Sequence, residues 1–167
     1  RKGQVILLDA VSELVNSVFP DLHLILVGEG PDEDMLKNKA QDLGLNNNVT
    51  FFPFTREPMY IFERIDILVL SSLFKEGLPN VLLEAMSMNT PVVSSKMAGV
   101  PEIVKDGQTG YMVEPGNKDQ LAEAIKKLWS DQDAYAKISR MGRELMENQF
   151  DKEVQFKQFF DYFHRIH

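Results

Sequence analysis

Ile65-Asp66-Ile67-Leu68-Val69-Leu70-Ser71-Ser72-Leu73-Phe74-Lys75-Glu76-Gly77-Leu78-Pro79-Asn80-Val81-Leu82-Leu83-Glu84 is the stretch on which the reading of this chain turns. An apolar run of strand length stops at two serines, a polar loop follows, and Pro79 opens a helical pattern. Pro79 suits the first helical position, where its missing N–H costs nothing. The N–H groups of Asn80, Val81 and Leu82 then point out of the helix start, a ready place for an anion. Glu76 falls in the loop just before the helix and Glu84 about one and a half turns into it. The segment therefore offers amide donors for a phosphate and two carboxylates for hydroxyls, which is the chemistry a nucleotide-sugar needs.

Outward from this stretch, strand-like and helix-like segments alternate. Val5, Ile6, Leu7, Leu8, Ala10, Val11, Leu14 and Val15 have helical spacing that ends near Phe19-Pro20. Residues 22–27 form a short apolar run closed by Gly28-Glu29-Gly30-Pro31 and are expected as a buried parallel strand. A helix is expected over 32–43 with Gly44 as its stop, a strand over 49–52, a short helix over 58–64 and a strand over 65–70. The helix at 79–88 ends at Asn89, which tolerates positive φ. Strands at 91–94 and 111–113 flank a turn or short helix at 101–104, and helices at 119–128 and 134–148 follow. Alternation at this spacing implies a mainly parallel, doubly wound, Rossmann-like α/β sheet in one domain. Ligands of such sheets bind beyond the carboxyl ends of the strands. The loops 28–32, 53–57 and 71–80 all fall there.

Composition bounds the rest. With 167 residues and 44% hydrophobic content, the chain holds one core. A formal charge of −7 argues against a nucleic-acid or anionic-membrane surface. The absence of cysteine removes disulfides and thiolate metal sites, and a reducing, cytoplasmic setting is expected. No apolar run approaches the roughly 18–20 residues of a transmembrane segment. No His/Asp/Glu grouping has metal-ligand spacing. Gly28-Glu29-Gly30 lacks the third glycine of a dinucleotide fingerprint. The chain opens at Arg1 and is read as a fragment of something longer.

The Glu76/Glu84 pair is followed by Ala85-Met86-Ser87-Met88-Asn89-Thr90-Pro91-Val92-Val93, then Gly99-Val100-Pro101-Glu102-Ile103-Val104 and Asp106-Gly107-Gln108-Thr109-Gly110. With Leu26-Val27-Gly28-Glu29-Gly30-Pro31 upstream, this ordered set closely resembles the donor-binding half of retaining glycosyltransferases of the two-Rossmann-domain (GT-B) kind, the group 1 family. The resemblance covers nearly the whole chain. It implies a three-layer C-terminal domain over residues 1–167, without its first strand and without the N-terminal acceptor domain. It implies transfer of a sugar from a UDP-, GDP- or ADP-sugar to an acceptor glycan or lipid-linked glycan, with no cofactor and no metal. Glu84 corresponds to the carboxylate that accepts the ribose hydroxyls, and Glu76 to the catalytic carboxylate beside the donor sugar. Gly77, Leu78, Asn80 and Val81 contribute donor contacts through backbone. Lys2, in Arg1-Lys2-Gly3, corresponds to a lysine that pairs with the diphosphate. Gly28 lines the cleft wall near the nucleotide, and Phe54, in Pro53-Phe54-Thr55, meets the base through main-chain groups.

Other features have plainer readings. His23 is expected as a structural histidine, Met86, Met88 and Met97 as core, and Gly99 as a turn former. Phe156, Phe159, Phe160 and Phe163 form a stripe that packs either on this domain or on the missing one. A sugar-nucleotide epimerase domain and a non-catalytic nucleotide-binding module use the same fold and stay open, as does a peripheral membrane position for the full-length protein.

Overall fold

The computed structural model describes residues 2–74, 77–97, 99–151, 153 and 154. Among the described residues, helices and parallel strands follow in the order α1 (Gln4–Ser17), β1 (Leu24–Val27), α2 (Glu33–Asp42), β2 (Val49–Phe52), α3 (Met59–Phe62), β3 (Leu68–Leu70), α4 (Asn80–Ser87), β4 (Val92–Ser95), α5 (Val100–Ile103), β5 (Tyr111–Val113), α6 (Lys118–Ser130) and α7 (Gln132–Leu145). A π-type turn over Met146–Phe150 closes α7. The expected α/β alternation and parallel strand pairing are present. The strands, however, lie in two separate ladders, β1–β2 and β3–β4–β5.

Period-two alternation sends neighbouring strand residues to opposite sides. Leu24, Leu26, Val49, Phe51, Ile67, Val69 and Val93 pack with α1, α2 and α6 in one core. Leu68, Leu70, Val92 and Met112 pack with α4, α5 and the end of α7 in a second. In α1, Leu7, Leu8, Val11 and Leu14 recur at helical spacing and are buried in the first core, as the sequence pattern requires. Met86 is buried in the second core, with Met88 and Met97 packed against it. Gly142 sits against the Thr109 backbone: a Cβ there would crowd the Thr109 carbonyl oxygen at 3.3 Å and would only touch the Met86 side chain at 3.5 Å. Two helices open on side-chain caps. Asn117 Oδ1 accepts from the Gln120 N–H at 3.0 Å, and Asp131 Oδ1 from the Ala134 N–H at 2.9 Å.

Strand boundaries depart from the sequence pattern for identifiable reasons. Residues 65–67 stay outside β3 because pairing begins where the Leu68 N–H reaches the Pro91 carbonyl at 3.0 Å. Pro91 has no N–H to offer in return. Residues 22 and 23 stay outside β1 because Asn48 holds the chain there. Its Nδ2 donates to the Pro20 and Leu22 carbonyls, both at 2.9 Å. His23, one residue before β1, pairs through Nε2 with Thr50 Oγ1 at 2.8 Å, a structural role as expected.

The carboxyl end of α4 is fastened on two sides. Asn89 takes φ 63°, as its cap position demands. Its carbonyl accepts from Ser139 Oγ on α7, and Thr90 Oγ1 donates to the Phe62 carbonyl at 3.2 Å. The stripe Phe156, Phe159, Phe160 and Phe163 lies outside the described residues. Among the described residues, no helix is long and apolar enough to cross a membrane.

Leu8 is fully enclosed in the first core. Leu8→Ala is expected to lower unfolding free energy by about 2–5 kcal/mol. Urea denaturation followed by circular dichroism measures it, and a loss under about 1 kcal/mol would remove α1 from the core.

Candidate functional site

β3 ends at Leu70, and the buried Ser71 and Ser72 follow at its carboxyl end. Ser71 Oγ donates to the Lys2 carbonyl at 3.0 Å, which fixes the start of the chain at this edge. Gly3 then turns into α1 with φ 72°, and its carbonyl accepts the Leu7 N–H at 3.1 Å. A Cβ on Gly3 would overlap the Ser71 carbonyl, so glycine is required both for its dihedral and for the approach. Lys2 is exposed at this edge. α1 leads away and β1 returns, which brings Val27 and Gly28 back to the same side.

Beyond Ser72 the chain reaches α4. Pro79 is buried, with φ −76° and ψ 112°. This is extended backbone, so Pro79 caps the helix from outside and Asn80 is the first helical residue. The expectation that Pro79 itself opens the helix is corrected by one position. A second correction follows. The Leu82 N–H donates to the Pro79 carbonyl at 3.0 Å and is not available to a ligand. The N–H groups of Asn80 and Val81 have no hydrogen-bond partner among the described residues, which is the ordinary condition of a helix start.

Side chains of α4 divide sharply. Leu82, Ala85 and Met86 are buried, whereas Asn80 and Glu84, one turn apart, are exposed on the same face. Leu82, Leu83, Ala85 and Met86 flank Glu84 in sequence, but its carboxylate stands clear of them. It makes no hydrogen bond or ion pair with a described residue. Glu76 lies outside the described residues. Gly77 and Leu78 are exposed at the turn into the helix.

That turn is seated on Gly99, a contact not read from the sequence. A Cβ at Gly99 would sit 3.1 Å from both Leu78 Cα and N. The sequence held only a weak sign of it, a glycine ahead of Val100-Pro101. Gly28 closes the β1–β2 ladder, its N–H donating to the Phe52 carbonyl at 2.9 Å, and adopts φ 127°. Phe54 follows β2 and is 66% exposed. Gly28, Phe54, Gly77 and Leu78 thus lie in the segments that follow β1, β2 and β3, Asn80, Val81 and Glu84 lie on α4, and Lys2 lies beside Ser71. A cavity of about 570 Å³ opens at this edge beside Lys2, Ser71 and Val81, but its bulk runs down between β1 and β3. It is distinct from the exposed face of Asn80 and Glu84. Among the described residues, no group of three or more His, Cys, Asp or Glu side chains could hold a metal ion.

An edge with free helix-start amides, a lysine and an exposed carboxylate can grip an anionic group and a diol side by side. Residues 1–145 match the family described as glycosyl transferases group 1. The lipopolysaccharide core biosynthesis glycosyltransferase LpsE of Rhizobium meliloti is 33% identical over 154 residues, covering 92% of this chain and 44% of that protein. HepE of Anabaena, solved in complex with UDP, superposes with a TM-score of 0.88 at 28% identity, over 98% of this chain and 45% of that one. The C-terminal domain of LpcC from Francisella tularensis gives a TM-score of 0.81 at 30% identity, over 90% of this chain and 80% of that one. The chain therefore spans less than half the length of LpsE or HepE.

Ser71→Ala removes the bond to Lys2 and is expected to cost about 1 kcal/mol. Gly3→Ala adds the overlap and the left-handed strain and is expected to cost more, about 2–3 kcal/mol. Thermal denaturation of the two variants beside the parent measures both, and equal stability of all three would dissolve the clasp.

Proposed function

We propose that this chain, which belongs to the group 1 glycosyl transferases, is the donor-binding domain of a retaining enzyme that moves a sugar from a nucleoside diphosphate to an acceptor hydroxyl. The observation that carries the reading is the α4 amino end. Two N–H groups without a partner among the described residues, on Asn80 and Val81, open beside an exposed Glu84 at the carboxyl edge of a parallel sheet. The UDP bound to HepE supports a nucleoside diphosphate as the ligand.

In this reading the diphosphate lies against the Asn80 and Val81 amides and the Lys2 ammonium. As the bond from the anomeric carbon to the diphosphate oxygen breaks, negative charge grows on the leaving group. Donors already aimed at it lower the barrier without reorganising. Glu84 takes the two ribose hydroxyls, which a carboxylate can accept together. Gly28 and the Phe54 backbone border the base, and Gly77 and Leu78 border the sugar. Glu76 stands by the donor sugar and offsets positive charge at the anomeric carbon. No cofactor or metal takes part. The acceptor, a glycan or lipid-linked glycan, and any general base belong to a separate N-terminal domain of a cytoplasmic enzyme. No observation favours the epimerase or the non-catalytic module.

Calorimetry with UDP, GDP, ADP and CMP tests the site. The parent is expected to prefer one nucleoside diphosphate. Glu84→Ala is expected to weaken it at least tenfold, about 1.4 kcal/mol, with stability changed by no more than about 0.5 kcal/mol because the side chain is exposed. Equal affinity in parent and variant would remove Glu84 from the site. The 167-residue chain alone is expected to transfer no sugar, and turnover of a radiolabelled UDP- or GDP-sugar by the pure chain would overturn the division of labour.

A further inference from the structure

Gly99 is buried at the start of α5, with φ −82° and ψ −12°. Most residues adopt that backbone, so its dihedral does not call for glycine, whereas Gly3 takes a left-handed φ of 72°. Alanine in such a conformation ordinarily stabilises a protein, because it narrows the unfolded ensemble. What position 99 lacks is room. A Cβ there would lie 3.1 Å from both Leu78 Cα and N and 3.4 Å from the Gly77 carbonyl carbon. All three are backbone atoms, with no rotamer through which to escape.

The two sides of this contact are unequally held. Val100, Ile103 and Val104 are buried in the second core. The Val100 N–H donates to the Met97 carbonyl at 2.9 Å, and the Val104 N–H to the Val100 carbonyl at 2.8 Å. Thr109 Oγ1 donates to the Ile103 carbonyl and accepts the Lys105 N–H, both at 2.8 Å. Opposite this fixed support, Gly77 and Leu78 are exposed. A side chain at 99 therefore lifts the turn by a few tenths of an ångström and leaves α5 in place. Leu78 leads into Pro79, whose ring fixes its own φ and restricts the residue before it. The two move together, and the Pro79 carbonyl holds the Leu82 N–H at 3.0 Å. The Asn80 and Val81 amides lie between those two points of the chain.

We propose that Gly99 is a positioning residue for a nucleoside diphosphate, a step that rests on the nucleotide reading of this edge. Its missing side chain lets the Leu78–Pro79 turn sit close on α5, and that closeness aims the Asn80 and Val81 amides at the diphosphate. Glu84 lies a turn deeper, on a helix held by Leu82, Ala85 and Met86 in the second core, and keeps its place. Gly99 thus governs the diphosphate end of the ligand and not the ribose end. At roughly a hundredfold per ångström of misplacement, a shift of a few tenths corresponds to a roughly four- to tenfold loss.

Calorimetry of parent and Gly99→Ala with UDP and UMP, GDP and GMP, and ADP and AMP tests the proposal. The diphosphate that the parent prefers is expected to bind the variant roughly four- to tenfold more weakly. Its monophosphate is expected to change by no more than about twofold, and Tm to stay within about 3 °C. Equal affinity of parent and variant for that diphosphate would overturn the positioning role and leave the nucleotide site standing. A loss shared equally by the two nucleotides, or a variant that fails to fold, would make Gly99 a general packing residue and would also overturn it. A parent that binds none of the six would bring down the nucleotide reading and this proposal with it. Amide chemical shifts of the ligand-free proteins read the geometry directly. The Leu78, Asn80 and Val81 resonances are expected to move and those of Ser87 and Met88 to stay, and unmoved Asn80 and Val81 would overturn the coupling.

Discussion

Apolar packing between α1 and α6 is what makes one body of two ladders that, among the described residues, share no strand pairing. Leu7, Leu8, Val11 and Leu14 from the first helix join Leu121, Ile125 and Leu128 from the sixth in a single core with residues of both ladders. Each such side chain, fully buried, stabilises the fold by roughly 1.5–3 kcal/mol. The link is non-directional, so it fixes proximity more firmly than register. Register at the functional edge comes from directional contacts instead: Ser71 to Lys2, Gly3 against the Ser71 carbonyl, and Gly99 beneath Leu78. The site depends on both, the seam for bringing the ladders together and the clasps for aiming their loops.

Much of the architecture was legible because its signals are local. The helical spacing in α1, the apolar runs of β2 and β5 and the cap at Asn89 need only near neighbours to be interpreted. What misled the reading was set by partners distant in sequence. β3 is shorter than its apolar run because Pro91, more than twenty residues on, cannot donate. β1 starts late because Asn48 reaches back to Pro20 and Leu22.

The candidate site divides in the same way. The helix start was visible from Pro79 and its apolar followers, yet which amides stay open depended on one residue of cap placement and on the Leu82–Pro79 bond. Glu84 is exposed although four of its sequence neighbours are apolar, because sequence adjacency does not give the helix face. Residues 82, 85 and 86 point inward while 80 and 84 point out. Gly99 escaped notice as a support because a glycine in a loop has many uses, and only the packed backbone shows which one applies.

The fastening of α4 at its far end has a mechanical consequence. Asn89 is held by Ser139 and Thr90 holds Phe62, while among the described residues the amino end of the helix is held by packing, through Leu82 in the second core and the seat of Leu78 at Gly99. A rod anchored at one end swings and does not slide. Any tilt of α4 therefore pivots about residues 89 and 90 and carries Asn80 and Val81 farthest, but it must also displace Leu82, Ala85 and Met86 within the second core, and that packing resists it.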